Sequence, residues 1–394
     1  MASLVIALVL AAVSVKKGRA SPTDNNPACV DLEIPISVNQ TAAKWLQPEV
    51  DSTYDAVDWI RYQTTRTTPK PNESYLGPIA INETFSINAK LCIPSHGPKS
   101  KILQIATHGA GFDKRYWDVT IKPAEYSYLY AALTQAQRLH TTQLPIHIEI
   151  LRQLTLLSSS GSLLQHSKPS PPSHPRKPNP QPPNSLPASY IPSKIIHIGH
   201  SLGSIISVSL VTSYPNLSSG LIATGFLPTK TSADFPPTLN INTWGFEFAK
   251  ENDSVKFARH GSGYIVQATK GNVELSFFGE KESSEPELLQ HAWEIRQPVG
   301  VGEFTSLLGA MAGGGPMKEG TGPGAFKGAV QFVIGEKDYG GCGGDCKGIY
   351  DLEELKATWK AAKGLGVHLQ GGGGGGGTWV DVCEGCQGGV CGDV

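Results

Sequence analysis

One serine in this sequence has neighbours that would suit a nucleophile. Ser201 is the central residue of Gly199-His200-Ser201-Leu202-Gly203, a pattern typical of a sharp turn from a strand into a helix. Such a turn strains the serine backbone and exposes its hydroxyl, and the flanking glycines remove side chains that would clash across it. An ordinary strand–turn–helix is the alternative interpretation, because so short a pattern also arises by chance.

The segments on either side of this motif favour the nucleophile. Lys194 to Ile198 is a short apolar run that predicts a buried strand, and Ser204–Ser213 predicts a helix that ends before Pro215. The serine hydroxyl would then lie at the carboxyl end of a strand. Ligands bind at that end in open α/β sheets.

A glycine-rich motif supplies candidate hydrogen-bond donors. His108-Gly109-Ala110-Gly111 directly follows another apolar run, and its glycines would let the backbone approach a substrate carbonyl. The backbone amides of Ala110 and Leu202 are the natural donors to a developing oxyanion. A plain glycine-rich turn is the alternative interpretation.

A carboxylate follows the last strongly apolar run of the sequence. Gly328–Ile334 predicts a buried strand, and Glu336 and Asp338 come directly after it. A carboxylate at this position can hold an imidazole in the tautomer that accepts a proton from serine. Asp338 is better placed than Glu336, and the order serine then acid argues against the chymotrypsin and subtilisin arrangements.

The base is the component that the sequence does not assign. In this order it should follow Asp338, where the only histidine is His368, inside the predicted strand Gly366–Gln370. We interpret His368 as a half-buried strand residue, with a role as the base as the alternative. A serine without a base is a poor nucleophile at neutral pH.

Strands and helices alternate along the chain, which predicts a mostly parallel sheet with helices on both faces. His147–Leu157 predicts an amphipathic helix, and Asp351–Ala362 predicts another. Pro169 to Pro192 contains ten prolines and predicts an exposed insertion without a core. The predicted strands comprise residues 77–94, 101–106, 194–198, 219–226, 328–334 and 366–370.

The predicted organisation places one α/β core around an inserted cap. Residues 227–325 contain aromatic residues but few clean strands, which is typical of a cap. The predicted segments are a signal peptide at 1–20, a first core part at 27–226 with a disordered insertion at about 160–192, the cap at 227–325, a second core part at 326–370 and a disordered Gly/Cys-rich tail at 371–394.

Charge and leader composition limit the classes of partner. The formal net charge is −1, from 33 basic and 34 acidic residues, so the chain lacks the clustered cations that bind nucleic acid. Met1–Val13 is apolar but too short to span a bilayer, and small residues follow it. This favours a secreted, extracellular protein without a membrane span after removal of the leader, with a buried N-terminal helix as the alternative. The five N-glycosylation sequons agree with export: Asn39, Asn72, Asn82, Asn216 and Asn252.

The seven cysteines suit an oxidising compartment but do not fix their own pairing. A short staple from Cys342 to Cys346 and a longer link between Cys29 and Cys92 are the candidate disulfides. Cys383 and its neighbours belong to the tail, where no second ligand pair follows at zinc spacing. We therefore predict no metal and no cofactor.

Three segments together resemble secreted fungal proteins of the α/β-hydrolase-1-like family: Thr107–Asp118, Ile198–Gly203 and Val333–Tyr339. The similarity covers roughly residues 27–130 and 190–370. It implies an α/β-hydrolase fold with Ser201 as nucleophile and Asp338 as triad acid. It also implies an oxyanion site at Ala110 and Leu202, under a cap within residues 227–325.

The chain departs from this family pattern in two places. The family places a further strand after the helix that follows the His-Gly motif, and we predict no strand within residues 131–190. The family also carries its catalytic histidine in a loop after the last strand, where this chain has Gly371–Gly377.

The sequence predicts a serine hydrolase that cleaves a small to medium carboxylic ester. A catalytically inactive secreted protein that binds ligands is the alternative, because the triad histidine is unassigned. Amide or peptide cleavage is a third possibility, and an epoxide hydrolase is disfavoured because the turn carries serine. The expected partner is a small-molecule ester, and no motif indicates an oligomeric state.

Overall fold

The computed structural model describes residues 28–45, 52–64, 75–94, 102–138, 143–149, 192–226, 245–279, 285–300 and 323–371. The strands in these ranges are β1 (Ala28–Trp45), β2 (Tyr75–Ile93), β3 (Ile102–Thr107), β4 (Gln143–Glu149), β5 (Lys194–His200), β6 (Gly220–Thr224), β7 (Phe246–Phe248), β8 (Tyr264–Gln267), β9 (Val299–Gly300), β10 (Ala329–Gly335) and β11 (Leu365–Gln370). The predicted leader, most of the proline-rich insertion and most of the tail lie outside these ranges.

Helices connect the strands throughout the described part of the chain. Single 3₁₀ turns lie at Lys114–Trp117 and Pro215–Leu217. The α-helices are α1 (Thr53–Thr64), α2 (Pro123–Tyr126), α3 (Tyr128–Arg138), α4 (Leu202–Ser213), α5 (Ala249–Asn252), α6 (Lys270–Phe277), α7 (Pro286–Ile295), α8 (Tyr339–Cys342) and α9 (Leu352–Thr358).

An eight-stranded sheet has the order β1-β2-β4-β3-β5-β6-β10-β11. The six strands from β4 to β11 in this order pair in parallel, and β2 pairs antiparallel with both β1 and β4. Parallel strands covered on both faces are apolar along their whole length. The buried residues of β3, β5 and β6 follow that rule, which confirms the predicted mostly parallel sheet.

The strand β4 corrects the prediction that residues 131–190 hold no strand, and the prediction of a helix from His147. Residues Gln143–Glu149 pair in parallel with β3 and antiparallel with β2. Pro145 hides this strand in the sequence, because proline cannot donate to a sheet ladder and is usually confined to edges. Ile146 and Ile148 alternate with polar residues, and pairing with two neighbouring strands overrides the helical period.

The strands β1 and β2 form a long antiparallel hairpin at one edge of the sheet. Cys29 lies directly opposite Cys92, and the two cysteines form a disulfide. The inner face of the hairpin packs Ile36 and Ile87 into a cluster that also contains Ile105 of β3. The hairpin is therefore part of the main core, and β2 confirms the predicted strand of residues 77–94 to within two residues at each end.

Residues 245–300 add a small second sheet, in which β8 pairs antiparallel with both β7 and β9. The helices α6 and α7 accompany it. Phe277 of α6 and Ala292 of α7 pack in one buried cluster with Ile198 of β5 and Phe112. The second sheet thus belongs to a unit that rests on the carboxyl half of the parallel sheet.

The remaining predicted elements are confirmed with shifted ends. The helix α4 begins at Leu202, two residues before the prediction, and α9 ends at Thr358 rather than Ala362. Asp351 caps α9 by accepting hydrogen bonds from the backbone N–H groups of Glu353 and Glu354. Among the described residues, no helix has the length and apolar character needed to cross a bilayer.

Candidate active site

Ser201 occupies a strained turn between β5 and α4. Its backbone has φ 50° and ψ −115°, and Lys122 is the only other non-glycine residue of the described chain with positive φ. Such a backbone costs on the order of 1–3 kcal/mol and persists only where its surroundings impose it. Here the Ser201 N–H donates to the Thr224 carbonyl at 2.8 Å, and the Ser204 hydroxyl donates to the same oxygen at 2.9 Å.

The glycines of the motif are required by direct backbone contact. A Cβ atom on Gly199 would lie 2.4 Å from the carbonyl carbon of Gly203. A Cβ atom on Gly203 would lie 2.2 Å from the Thr107 carbonyl oxygen. No side chain fits at either position, so the chain can make this turn only with the residues that the motif supplies.

The turn at Ser201 lies against the segment His108–Gly111. A Cβ atom on Gly109 would lie 3.1 Å from the Ser201 Cβ and 2.9 Å from Cδ2 of His200. The structure therefore brings together two motifs that are distant in sequence. Leu202 is the first residue of α4, where an α-helix leaves its N–H groups without intrahelical partners.

The small sheet holds the far side of this segment. The Gly111 carbonyl accepts a hydrogen bond from the Gln297 N–H at 2.8 Å, and the Ala110 side chain packs against Ile265 and Val299. Gly111 has φ +79°, a left-handed conformation that favours glycine. The Ala110 backbone is thus fixed between the turn at Ser201 and residues 245–300.

Asp338 follows β10 and is the first candidate for the acid. Its carboxylate is buried and accepts a hydrogen bond from the Gly341 N–H at 2.7 Å. Burial raises the pKa of Asp338 to about 6, although bonds from Gly341 and Gly340 act in the opposite direction. The strands β5 and β10 both pair in parallel with β6, which lies between them. Ser201 and Asp338 therefore follow the carboxyl ends of two parallel strands at the same edge of the sheet. The chain has the α/β-hydrolase fold.

The alternative carboxylate at this edge of the sheet is already paired. Glu336 forms an ion pair with Lys347 at 2.5 Å, and its backbone N–H donates to the Gln370 carbonyl at 2.7 Å. The Glu336 side chain is mostly buried, whereas the Lys347 side chain is exposed. Glu336 therefore helps to fix the loop, and Asp338 is the carboxylate that remains available to orient an imidazole.

The two histidines beside Ser201 have structural roles. The Thr224 hydroxyl donates its one proton to the Gly199 carbonyl, so Nδ1–H of His200 donates to the Thr224 oxygen at 3.0 Å. The His200 ring also stacks on Tyr116 at 4.5 Å, and burial lowers its pKa to about 3. Nδ1–H of His108 donates to the Gly109 carbonyl at 2.8 Å, and burial lowers the pKa of this ring as well. A general base works best with a pKa near the operating pH, so neither ring is suited to the task.

His368 is exposed, where the sequence predicted a half-buried residue. Its Nε2–H donates to Oε1 of Gln370 at 3.0 Å, and its backbone lies opposite Val333 of β10. This ring pairs along its own strand rather than with Asp338. The described residues therefore place a serine, backbone amides and an acid at one edge of the sheet, but no base.

Gln267 and Thr224 lie outside every motif that the sequence analysis identified. Gln267 is 2% exposed at the end of β8, and its carboxamide nitrogen would lie 3.4 Å from a Cβ atom on Gly111. Thr224 ends β6 and connects His200, Ser201 and Ser204 through its hydroxyl and carbonyl groups. Their roles depend on contacts between strands, for which no local pattern exists.

In the described ranges, no three or more histidine, cysteine, aspartate or glutamate side chains lie close enough together to hold a metal ion.

Comparisons with known proteins found similar solved structures but no relative in sequence. No protein-family model matches the chain, and no curated protein matches it in sequence. Among solved structures, an α/β-hydrolase fold protein from Chitinophaga pinensis is 12% identical with a TM-score of 0.44, covering 77% of this chain and 92% of that one. The Cif epoxide hydrolase from Acinetobacter nosocomialis is 12% identical with a TM-score of 0.43, covering 78% of this chain and 85% of that one. A carboxylesterase from Nitrososphaera gargenis is 16% identical with a TM-score of 0.43, covering 78% of this chain and 96% of that one.

Proposed function

We propose that this protein is a serine hydrolase that cleaves a small to medium carboxylic ester. One observation supports the proposal above the others. The strained, partly exposed Ser201 lies in contact with Gly109, at the start of a glycine-rich segment whose backbone amides can face a substrate carbonyl. A nucleophile beside preorganised donors is the minimum arrangement for acyl transfer.

In the proposed reaction, the Ser201 Oγ attacks the ester carbonyl carbon and forms a tetrahedral intermediate. The amides of Ala110 and Leu202 stabilise its oxyanion, because they are held where negative charge develops. Collapse of the intermediate releases the alcohol and leaves an acyl group on Ser201, which water then removes. A base must accept the serine proton and pass it to the leaving oxygen, so that the alcohol departs neutral, and Asp338 would orient that base while it is an imidazolium.

A catalytically inactive protein that binds ligands is the second candidate function. It is favoured by the state of the histidines that the structure describes near the site. His200 and His108 are buried with lowered pKa values, and His368 pairs with Gln370. On this alternative, the same fold and the same edge of the sheet bind a small molecule without cleaving it.

A fluorophosphonate probe separates the two candidates. We expect the purified protein to be labelled at Ser201 and the Ser201→Ala variant to remain unlabelled. Ser213→Ala is the matched control, because Ser213 is exposed at the end of α4 and should not affect labelling. Wild-type protein that is folded by circular dichroism, yet neither labelled nor active on ester substrates, would establish the binding alternative.

A substrate panel then defines the bond that is cleaved. Esters of increasing acyl length should be hydrolysed, with a decline beyond medium length. Amides with the same acyl groups should be cleaved far more slowly. Faster cleavage of the amides would reassign the protein to amide or peptide hydrolysis.

We also propose that the protein is exported and belongs with the secreted fungal proteins that its motifs resemble. The apolar leader, the sequons and two disulfides support export. Expression with the native leader in a secretory host tests this export. Protein retained in the cells with an intact leader would contradict it.

We further propose that residues 227–325 act as the cap, because the described part of this region packs against Ala110 and Gly111.

A further inference from the structure

The loop that carries Asp338 is closed by a disulfide. The chain leaves β10 at Gly335, forms α8 with Asp338 as its N-cap, and returns so that the Cys346 N–H donates to the Glu336 carbonyl at 2.9 Å. Cys342 and Cys346 are joined within this loop. We name residues 336–346 the acid loop.

Each described hydrogen bond to Asp338 from the far side of this loop comes from a residue inside or beside the cross-linked segment. The Asp338 carbonyl accepts from the N–H groups of Cys342 and Gly344, both at 3.1 Å. The Asp338 carboxylate accepts from the Gly341 N–H at 2.7 Å. The Asp338 carbonyl is therefore held by Cys342 and Gly344 of the cross-linked segment, and its carboxylate by Gly341, which directly precedes Cys342.

Without the cross-link, the acid loop would have unusual conformational freedom. Four of its residues are glycines, and Gly343 and Gly344 have φ values of 65° and 92°. Glycine loses more conformational freedom on ordering than any other residue. Hydrogen bonds from so flexible a segment fix a carboxylate only when another constraint orders the segment.

The disulfide also belongs to the core beneath the acid. Cys342 and Cys346 are 3% and 0% exposed, and they pack in one cluster with Phe332, Ile334 and Trp359. The two cysteines thus pack the acid loop against β10 and against the end of α9. The Cys29–Cys92 disulfide, in contrast, joins β1 to β2 at the opposite end of the sheet.

We propose that the Cys342–Cys346 disulfide positions the Asp338 carboxylate, so that reduction of this bond disables the acid of the candidate site while leaving the sheet folded. The consequence for catalysis rests on the proposed function, but the effect on Asp338 does not. A dithiol reductant supplies the two electrons and two protons, breaks the S–S bond to give two thiols, and leaves as its own cyclic disulfide.

The test compares two double variants of the full chain. Cys342→Ser/Cys346→Ser opens the acid loop, and Cys29→Ser/Cys92→Ser is the matched control that opens the hairpin. Asp338 is titrated by carboxyl ¹³C chemical shift, with its resonance assigned from Asp338→Asn. We expect the pKa, which burial holds at about 6, to fall towards the ordinary aspartate value in the first variant and to stay unchanged in the control.

Fluorophosphonate labelling gives the second readout. We expect the labelling rate to fall by about tenfold or more in Cys342→Ser/Cys346→Ser and to stay within about twofold in the control. Because buried serines can hinder folding, Cys342→Ala/Cys346→Ala and wild-type protein reduced by a dithiol repeat both measurements.

The outcomes separate this inference from the proposed function. An unchanged Asp338 pKa in folded protein that lacks the Cys342–Cys346 bond would overturn the inference. Equal shifts in both double variants would also overturn it, since they would indicate a general loss of stability. Absence of labelling in the wild type would count against the proposed function only, because the titration still decides the position of Asp338.

Discussion

Ser201 and Asp338 leave the same edge of one sheet, yet the surrounding chain fixes them by different means. At Ser201, backbone packs on backbone, and an added Cβ atom on Gly203 would meet the Thr107 carbonyl oxygen at 2.2 Å. At Asp338, a glycine-rich loop is held by hydrogen bonds and a disulfide. The turn at Ser201 accepts no side chain at Gly203, but it needs no cross-link. The acid loop accepts substitutions as long as its Cys342–Cys346 disulfide is intact.

This difference decides which parts of the site can be recognised in a sequence. A turn fixed by packing requires glycines at set positions, and those positions form a motif. A loop fixed by a cross-link requires only two cysteines in reach of each other. Its spacing carries no chemical signature of an active site.

The claim that backbone packing fixes the turn is tested most directly at Gly203. Gly203→Ala should destabilise the protein on the order of 5 kcal/mol and abolish labelling, because the new methyl group meets backbone atoms that cannot move aside. Gly364→Ala is the control, since nothing lies within 4 Å of its Cβ position. Denaturant unfolding measures both, and a Gly203→Ala variant as stable as Gly364→Ala would show that the turn relaxes.

The two disulfides allow the effect of a cross-link on stability to be separated from its effect on the position of Asp338. The links span sequence separations of 63 and 4, and loop-closure entropy then gives losses of about 4 kcal/mol for the Cys29–Cys92 pair and about 2 kcal/mol for the Cys342–Cys346 pair. The larger loss should therefore accompany the smaller effect on labelling. Unfolding of both double variants in urea tests this order, and the reverse order would contradict it.

The burial of Asp338 should appear as a dependence of stability on pH. Its folded pKa of about 6 is above the unfolded value of 3.8, so the folded state binds more protons between these values and loses stability as the pH rises through this window. Asp338→Asn should remove this loss, making the variant more stable than wild type by about 3 kcal/mol at pH 7 and by only about 0.5 kcal/mol at pH 4. Urea unfolding at both pH values measures the difference, and a gap that does not change with pH would contradict the raised pKa.

The smallest effect is expected at His368. His368→Ala should leave labelling within about twofold and unfolding free energy within about 0.5 kcal/mol, because the ring is exposed and bonds only with Gln370 in the described contacts. Gln370→Ala serves as the parallel variant. A large loss of labelling in His368→Ala alone would identify this ring as the base.

Local sequence was sufficient for β5, the turn at Ser201 and α4, since an apolar run, two glycines and a second apolar run specify their own geometry. It failed for β4, because the strand depends on pairing with β2 and β3 despite Pro145. It also misjudged the burial of His368. A period of two assigns alternate residues to opposite faces but does not reveal that β11 is an edge strand. The contacts of Thr224 and Gln267 were hidden for the same reason.

The position of β4 has a consequence for how this fold can vary. Because β4 runs parallel to β3, it ends at the edge that carries Ser201, and β5 begins at the opposite edge. The 44 residues between Glu149 and Lys194 form this connection, whereas a crossover needs only about a dozen residues. Insertions and deletions can therefore change the length of this connection while β4 and β5 keep their register on the two sides of β3.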